Sequence, residues 1–228
     1  MHAEEHFVIV DKPAGMLSVP GRGEDKQDCA RARVEQRFPR ATGSITCHRL
    51  DMDTSGLIVM ALDPVTHRKL SGQFEKRRVR KWYEAVVTGH VPRPIDEPFQ
   101  VDLPQCVDWP NRPLQKIDFE HGKPGKSDVI PRAHETWTTP AGDAIETTRV
   151  EFRPITGRTH QLRVHAAAPI EVESPSGPIP GGLASPIIGD RLYGDPSLAP
   201  RLLLHARRLG FWHPYSGEWV AFESPAPF

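Results

Sequence analysis

The clearest signal along the chain is where apolar residues run together and where they alternate. FVIV (7–10) and LIVMAL (57–62) are continuous apolar runs of strand length. The first closes on a Lys-Pro-Ala-Gly turn, in which Pro fixes φ and Gly permits the reversal. Residues 28–38 fit a short helix. A second helix is predicted from Asp63-Pro64, an N-cap followed by proline at the first helical position, with Val65, Leu70 and Phe74 as its apolar face. KWYEAVV (81–87) returns to strand. Residues 127–155 read as a hairpin, with Pro-Ala-Gly-Asp (140–143) as the turn and TTRVEFRPI alternating on the return strand. Together these predict an α+β protein whose sheet is mixed and mostly antiparallel. Residues 169–187, with five prolines and three glycines, suit neither helix nor alternating strand and read as a flexible surface loop. No internal repeat is visible.

Composition narrows the class. A chain of 228 residues can bury one substantial core, and a single domain over 1–228 is expected. Charged residues at 25% and hydrophobic ones at 38% suit a soluble globular protein, and no apolar run is long enough to span a bilayer. The beginning, MHAEEHFVIVDKPAG, is acidic where a secretion signal is basic. Cys29, Cys47 and Cys106 are odd in number, widely spaced and without a CxxC pair, so the expectation is reduced thiols in the cytoplasm.

The 29 basic and 29 acidic residues cancel, and only their distribution is informative. From Arg68 to Lys81 seven Lys/Arg (Arg68, Lys69, Lys76, Arg77, Arg78, Arg80, Lys81) face one acid, Glu75, and Trp82 and Tyr83 follow. Such a strip with aromatics beside it can neutralise phosphates and stack bases. The commoner reading of a charge run is a solvated helix face.

Three segments can carry chemistry: HRLDMDTSG (48–56), KWYEAVV, and GRTHQLRVHAAA (157–168). In the first, Asp51 and Asp53 point apart if extended, which argues against a glycosidase-like carboxylate pair and leaves one carboxylate to act alone. In the third, Thr159 is placed to cap a helix that sets His160 and Arg163 near one face. Asp and Arg in such segments are more often an ion pair joining elements than a catalytic set. His160, His165, His205 and His213 lack metal-ligand spacing, so no metal is expected.

HRLDMDTSGLIVMAL, KWYEAVVTG and PITGRTHQLRVH, with KPAGMLSVPG near the start, DWPNRP (108–113) between and RLLLHA near the end, resemble the RluA family of RNA pseudouridine synthases. The DWPNRP and GKP elements bring the chain nearest to the type acting on both ribosomal and transfer RNA. The resemblance runs from about residue 7 to 225. It implies the pseudouridine synthase fold, with a bent sheet flanked by helices and loops. The implied enzyme is an isomerase that breaks the N1–C1′ bond of a uridine, turns the base and rejoins it through C5, without cofactor or metal.

By the family motif, Asp51 is the catalytic aspartate, attacking C1′ or drawing the 2′ proton. Tyr83 matches the tyrosine that stacks on the target base and takes the C5 proton. Arg163 matches the arginine paired with the aspartate, Leu162 or Val164 a pocket wall, and Arg49 the residue that enters the RNA stack when the base leaves. A base inside a stem-loop must be extruded before such chemistry, and a guanidinium can fill the gap. His48 either bonds locally or touches phosphate, and Arg77, Arg78, Arg80 and Lys81 are candidates for the RNA backbone. The implied partner is a stem-loop of 23S rRNA, of tRNA, or of both, with no DNA, no membrane and a monomeric enzyme. The segment 169–187 is an insertion where relatives have a short link before GDRLYG. The first strand begins almost at Met1, so no S4 RNA-binding domain is expected. The alternative function is a non-catalytic RNA-binding or ribosome-assembly protein of the same fold, against which the intact Asp51, Tyr83 and Arg163 set counts.

Overall fold

A computed structural model describes residues 1–228. Strands β1 (His2–Ala3) and β2 (Phe7–Lys12) lead to helix α1 (Ala30–Arg37), followed by β3 (Ser55–Ala61), α2 (Pro64–Glu75) and β4 (Arg80–Thr88). Next come β5 (Phe99–Asp102), β6 (Gln105–Val107), β7 (Gln115–Ile117), the long pair β8 (Lys126–Thr138) and β9 (Ala144–Pro154), and α3 (Gln161–Ala167). The hairpin β10 (Glu171–Ser174) and β11 (Gly177–Pro180) precedes β12 (Leu204–Trp212) and β13 (Trp219–Glu223). The chain divides into two compact units, one built from Met1–Trp82 with His205–Phe228, the other from Tyr83–Leu204.

In the first unit β2 runs antiparallel to β3, β12 runs parallel to β3, and β13 returns antiparallel to β12. All seven residues of β3 are buried, which is why it is apolar without a break from Leu57 onward. Alternate residues Phe7, Ile9, Leu57, Val59, Ala61, Leu209 and Phe211 share one core with Leu70 of α2 and with Val79. Asp63 caps α2 as predicted, its Oδ1 accepting from the backbone N–H of Val65 and Thr66 at 2.9 and 2.8 Å. The predicted face of α2 shifts by one position: Val65 is exposed, and Thr66 and Leu70 are the buried residues, with Phe74 packed beside them. The hydroxyl of Thr66 bonds the capping Asp63 and so needs no solvent.

The second unit is an antiparallel run in the order β4, β9, β8, β5. Its central hairpin turns where the sequence says, closed by Gly142 N–H to Thr139 O and Thr139 N–H to Asp143 O, both 2.9 Å.

Residues 169–187 are not the loop expected from their composition. Glu171–Ser174 and Gly177–Pro180 pair as a hairpin, in which Pro178 and Pro180 are tolerated because a two-stranded ribbon has only edges. Beyond it the chain lies along residues 165–170, with the N–H groups of Gly181, Gly182, Leu183 and Ala184 bonding the carbonyls of Ile170, Pro169, His165 and Ala168. Leu183 and Ile187 are 1% exposed. Trimming the ribbon tip, Glu173 to Pro178, should therefore leave the melting temperature nearly unchanged. Deleting 175–186 removes Leu183 and should cost about 2–5 kcal/mol, read as lost soluble yield and an earlier thermal transition.

Candidate active site

The loop carrying Asp51 is fixed from below by β3. Gly56 has φ 110°, and a Cβ there would lie 2.4 Å from the carbonyl oxygen of Ala206 on the parallel neighbour β12. Only glycine admits that approach. Beside it the Ser55 hydroxyl lies 2.8 Å from His205 Nδ1, while His205 Nε2 lies 3.1 Å from the carbonyl oxygen of Ser224. A carbonyl only accepts, so His205 donates from Nε2 to Ser224, and in the neutral ring Nδ1 accepts a hydrogen bond from the Ser55 hydroxyl. RLLLHA is thus tied to the Thr-Ser-Gly end of HRLDMDTSG.

KPAGMLSVPG holds the other side. Lys12 is fully buried and its ammonium donates to the carbonyls of Pro13, Met16 and Met52 at 2.9, 2.8 and 2.9 Å, which offset the cost of burying the charge. Gly15 N–H also reaches Met52 O at 2.9 Å. The Ser18 hydroxyl donates to Leu50 O at 2.7 Å and accepts from Leu50 N–H at 3.0 Å. Both neighbours of Asp51 are therefore pinned, Leu50 by Ser18 and Met52 by Lys12, while Asp51 itself is half-buried and Arg49 exposed. Ser18→Ala strands two buried backbone groups and should cost about 1–3 kcal/mol in denaturant unfolding.

The rest of HRLDMDTSG and the basic strip separate into inward and outward groups. His48 Nε2 accepts from Val59 N–H at 3.1 Å and the ring stacks on Phe74 with centroids 4.4 Å apart. Burial, aided by the nearby Lys81 charge, pushes its pKa down to about 3. His48 is neutral at physiological pH, and of the two roles open to it from sequence the local bond is the one present. Burial also lowers Lys81 to about 8. Arg77, Arg78 and Arg80 are exposed. Trp82, which follows the strip on β4, has the Arg208 guanidinium over its ring at 4.8 Å.

In the second unit Tyr83 is half-buried on β4 and pairs with Phe152 of β9. Leu162 and Arg163 lie on α3, 6% and 2% exposed. Thr159 does not cap this helix. The N-cap is His160, at φ 56° with no side-chain cap, and the turn before it is closed by Gln161, whose Oε1 accepts from Arg158 N–H at 3.0 Å. Arg163 donates through Nε and Nη2 to the carboxylate of Asp190, the former at 2.8 Å, and Asp190 is fully buried. Asp190 Oδ1 also accepts from Leu192 and Tyr193 N–H at 2.9 and 3.1 Å. The Tyr193 hydroxyl accepts from Gln115 N–H at 2.7 Å and lies 2.9 Å from His160 Nδ1. GDRLYG is thus the piece that orients Arg163, and it joins the segment after DWPNRP to GRTHQLRVH. Asp190, Tyr193, Lys12 and Ser18 are supporting residues that sequence reading missed. The only signal for Asp190 was an acid between glycines in a motif noticed as a landmark.

A sequence profile described as RNA pseudouridylate synthase matches residues 6–168. Proteins named dual-specificity RNA pseudouridine synthase RluA are similar, at 41% identity over 233 residues in Pasteurella multocida and 42% in Escherichia coli K12. Each comparison covers 100% of this chain and 93% of the relative. Among solved structures, human RNA pseudouridylate synthase domain containing 1 matches with a TM-score of 0.71 and 28% identity, covering 100% of this chain and 82% of that one. Human RNA pseudouridylate synthase domain containing 4 matches at 0.69 and 25%, covering 99% and 87%.

Proposed function

Since the chain belongs to the RluA family of RNA pseudouridine synthases, we propose that it acts on stem-loops of both transfer RNA and large-subunit ribosomal RNA. The reaction itself is the isomerisation of uridine to pseudouridine: the N1–C1′ bond breaks, a C5–C1′ bond forms, C5 loses a proton and N1 gains one. Dual specificity is supported by the name carried by the curated relatives, whose similarity covers the whole of this chain. The observation that carries the choice of nucleophile or base is the Asp51 loop. Its two flanking residues are tied by Ser18 and Lys12 and its carboxylate is left half-exposed, the preorganisation an attacking group requires.

In this reading Asp51 attacks C1′ or draws the 2′ proton, Arg163 orients that carboxylate, and Leu162 walls the base. Arg49 fills the stack vacated by the extruded uridine, and the exposed Arg77, Arg78 and Arg80 contact phosphates, while Lys81, assigned to the same backbone from sequence, is turned inward beside His48. Tyr83 stacks on the uracil and its hydroxyl takes the C5 proton. Tyr83→Phe keeps the stacking face and deletes the hydroxyl, so RNA affinity should stay within a few-fold while product collapses and quenched RNA holds a C5-linked adduct with its proton retained. Normal turnover of the Phe variant would return Tyr83 to a wall of the pocket. The proposal as a whole is tested by incubating the protein with total RNA lacking pseudouridine and mapping the modification chemically. Conversion at one tRNA and one large-subunit rRNA position is expected; conversion in a single RNA class would remove the dual specificity.

A further inference from the structure

Far along β12 from the Asp51 loop lies a groove of about 630 Å³ lined by Arg77, Arg78, Arg80, Trp212 and Trp219. β12 pairs with β3 at His205 and Ser55, and Trp212 is seven residues further on, about 23 Å at the usual rise per residue. The groove is therefore not part of the Asp51 loop.

Its parts come from distant stretches of sequence and are fastened together. The Gln73 amide donates to Trp212 O at 2.7 Å and accepts from Trp212 N–H at 2.9 Å, locking the end of α2 to the end of β12. There α2 finishes with Arg78 N–H on Gln73 O and Arg77 N–H on Phe74 O, 2.9 and 3.1 Å. That closure puts Arg77 at φ 54°, a position glycine normally fills. An arginine held there against its preference points to a use for its side chain. Trp219 lies flat on Gly210, where a Cβ would come within 2.5 Å of the indole. The two indoles meet edge to face at 5.5 Å, Arg80 sits over Trp219 at 5.6 Å, and Trp212 is 47% exposed. No carboxylate lines the groove, and none of its three arginines is ion-paired.

We propose that this groove is a second RNA contact, which takes a single-stranded stretch flanking the reacting stem-loop, with a base stacked on Trp212 and its phosphates on the arginines. The proposal rests on the RNA substrate read above. Three unpaired cations select a polyanion, and an exposed indole selects one with unstacked aromatic faces. A paired stem offers phosphates but keeps its base faces covered, so the occupant is single-stranded. Groove and Asp51 loop are separated along β12, so a stretch of RNA flanking the reacting stem-loop can occupy the groove while the target base is held elsewhere.

The test uses the full-length protein and a synthetic stem-loop, bare or carrying a six-nucleotide single-stranded extension on either end, with binding followed by anisotropy and product by pseudouridine mapping in the same tubes. Wild type should bind one extended RNA more tightly than the bare one. Trp212→Ala should remove that advantage, about tenfold, while bare stem-loop affinity and conversion are unchanged, and Trp212→Phe should restore most of it. Arg77→Gly relaxes the backbone and so folds at least as well; it should weaken the extended RNA and lower its salt slope by about one. Equal affinity of wild type for all three RNAs would overturn the proposal, as would an equal loss on bare and extended RNA in Trp212→Ala. So would displacement of the extension by polyglutamate at matched charge, which would make the groove a site for acidic protein. Failure of wild type to convert any RNA is a separate result, and strikes the substrate reading instead.

Discussion

Asp51→Asn should yield a protein that folds and binds RNA as before yet turns over at less than about one thousandth of the wild-type rate, the scale of loss when a nucleophile or base is removed. Asn matches Asp in size and keeps a hydrogen-bonding oxygen, so the ties from Ser18 to Leu50 and from Lys12 to Met52 are undisturbed. What disappears is the charged carboxylate to which the attack on C1′ or the removal of the 2′ proton is assigned above. Single-turnover mapping with saturating RNA separates this from a binding defect. Residual turnover well above that level would assign the chemistry to another group.

Asp190→Ala should be the most damaging substitution for stability. It leaves the Arg163 guanidinium buried without that carboxylate and strands the N–H groups of Leu192 and Tyr193. Removing one side of a buried ion pair costs about 3–5 kcal/mol, because the remaining charge stays inside without the bidentate partner that the fold supplies. For a chain of this length that lowers the melting temperature by roughly 10 °C. Replacing both partners, Asp190→Leu with Arg163→Met, should recover much of the lost stability in denaturant titrations, since neither charge then remains. Activity should not return, because Arg163 is assigned to orient Asp51. Recovered turnover in the double variant would make Arg163 a purely structural residue.

Elements whose signal is local were legible in the sequence. β3 shows as an apolar run from Leu57 onward because both of its faces are buried, α2 announces its start through Asp63-Pro64, and the hairpin of β8 and β9 through its Pro-Ala-Gly-Asp turn. Signals that depend on a partner far away were not. The ribbon β10–β11 was hidden by prolines, which a lone two-stranded ribbon accepts and a central strand does not. The N-terminus of α3 was misassigned to Thr159 because the Gln161 side chain closes the turn instead. The Asp51 motif stands out in the sequence as a charged loop ahead of β3, yet the groups that hold it, Lys12 and Ser18, are 40 and 32 residues from their acceptors and look like ordinary turn residues. The groove shows the same limit: its arginines were picked out as a strip, but its aromatics, Trp212 and Trp219, lie over a hundred residues later.

The split between the two units sets an order on biosynthesis. Tyr83–Leu204 is contiguous and can collapse as soon as it leaves the ribosome, whereas the unit bearing Asp51 lacks β12 and β13 until the last part of the chain is made. The bond from Ser55 to His205 spans 150 residues and that from Ser224 to Asp11 spans 213. A nascent chain halted before His205 therefore exposes the apolar edge of β3 and carries an Asp51 loop without its lower anchor. Translation must finish before the Asp51 loop gains that anchor, so on the role proposed for Asp51 incomplete products should be inactive, and that exposed edge is where chaperone capture of the growing polypeptide should concentrate.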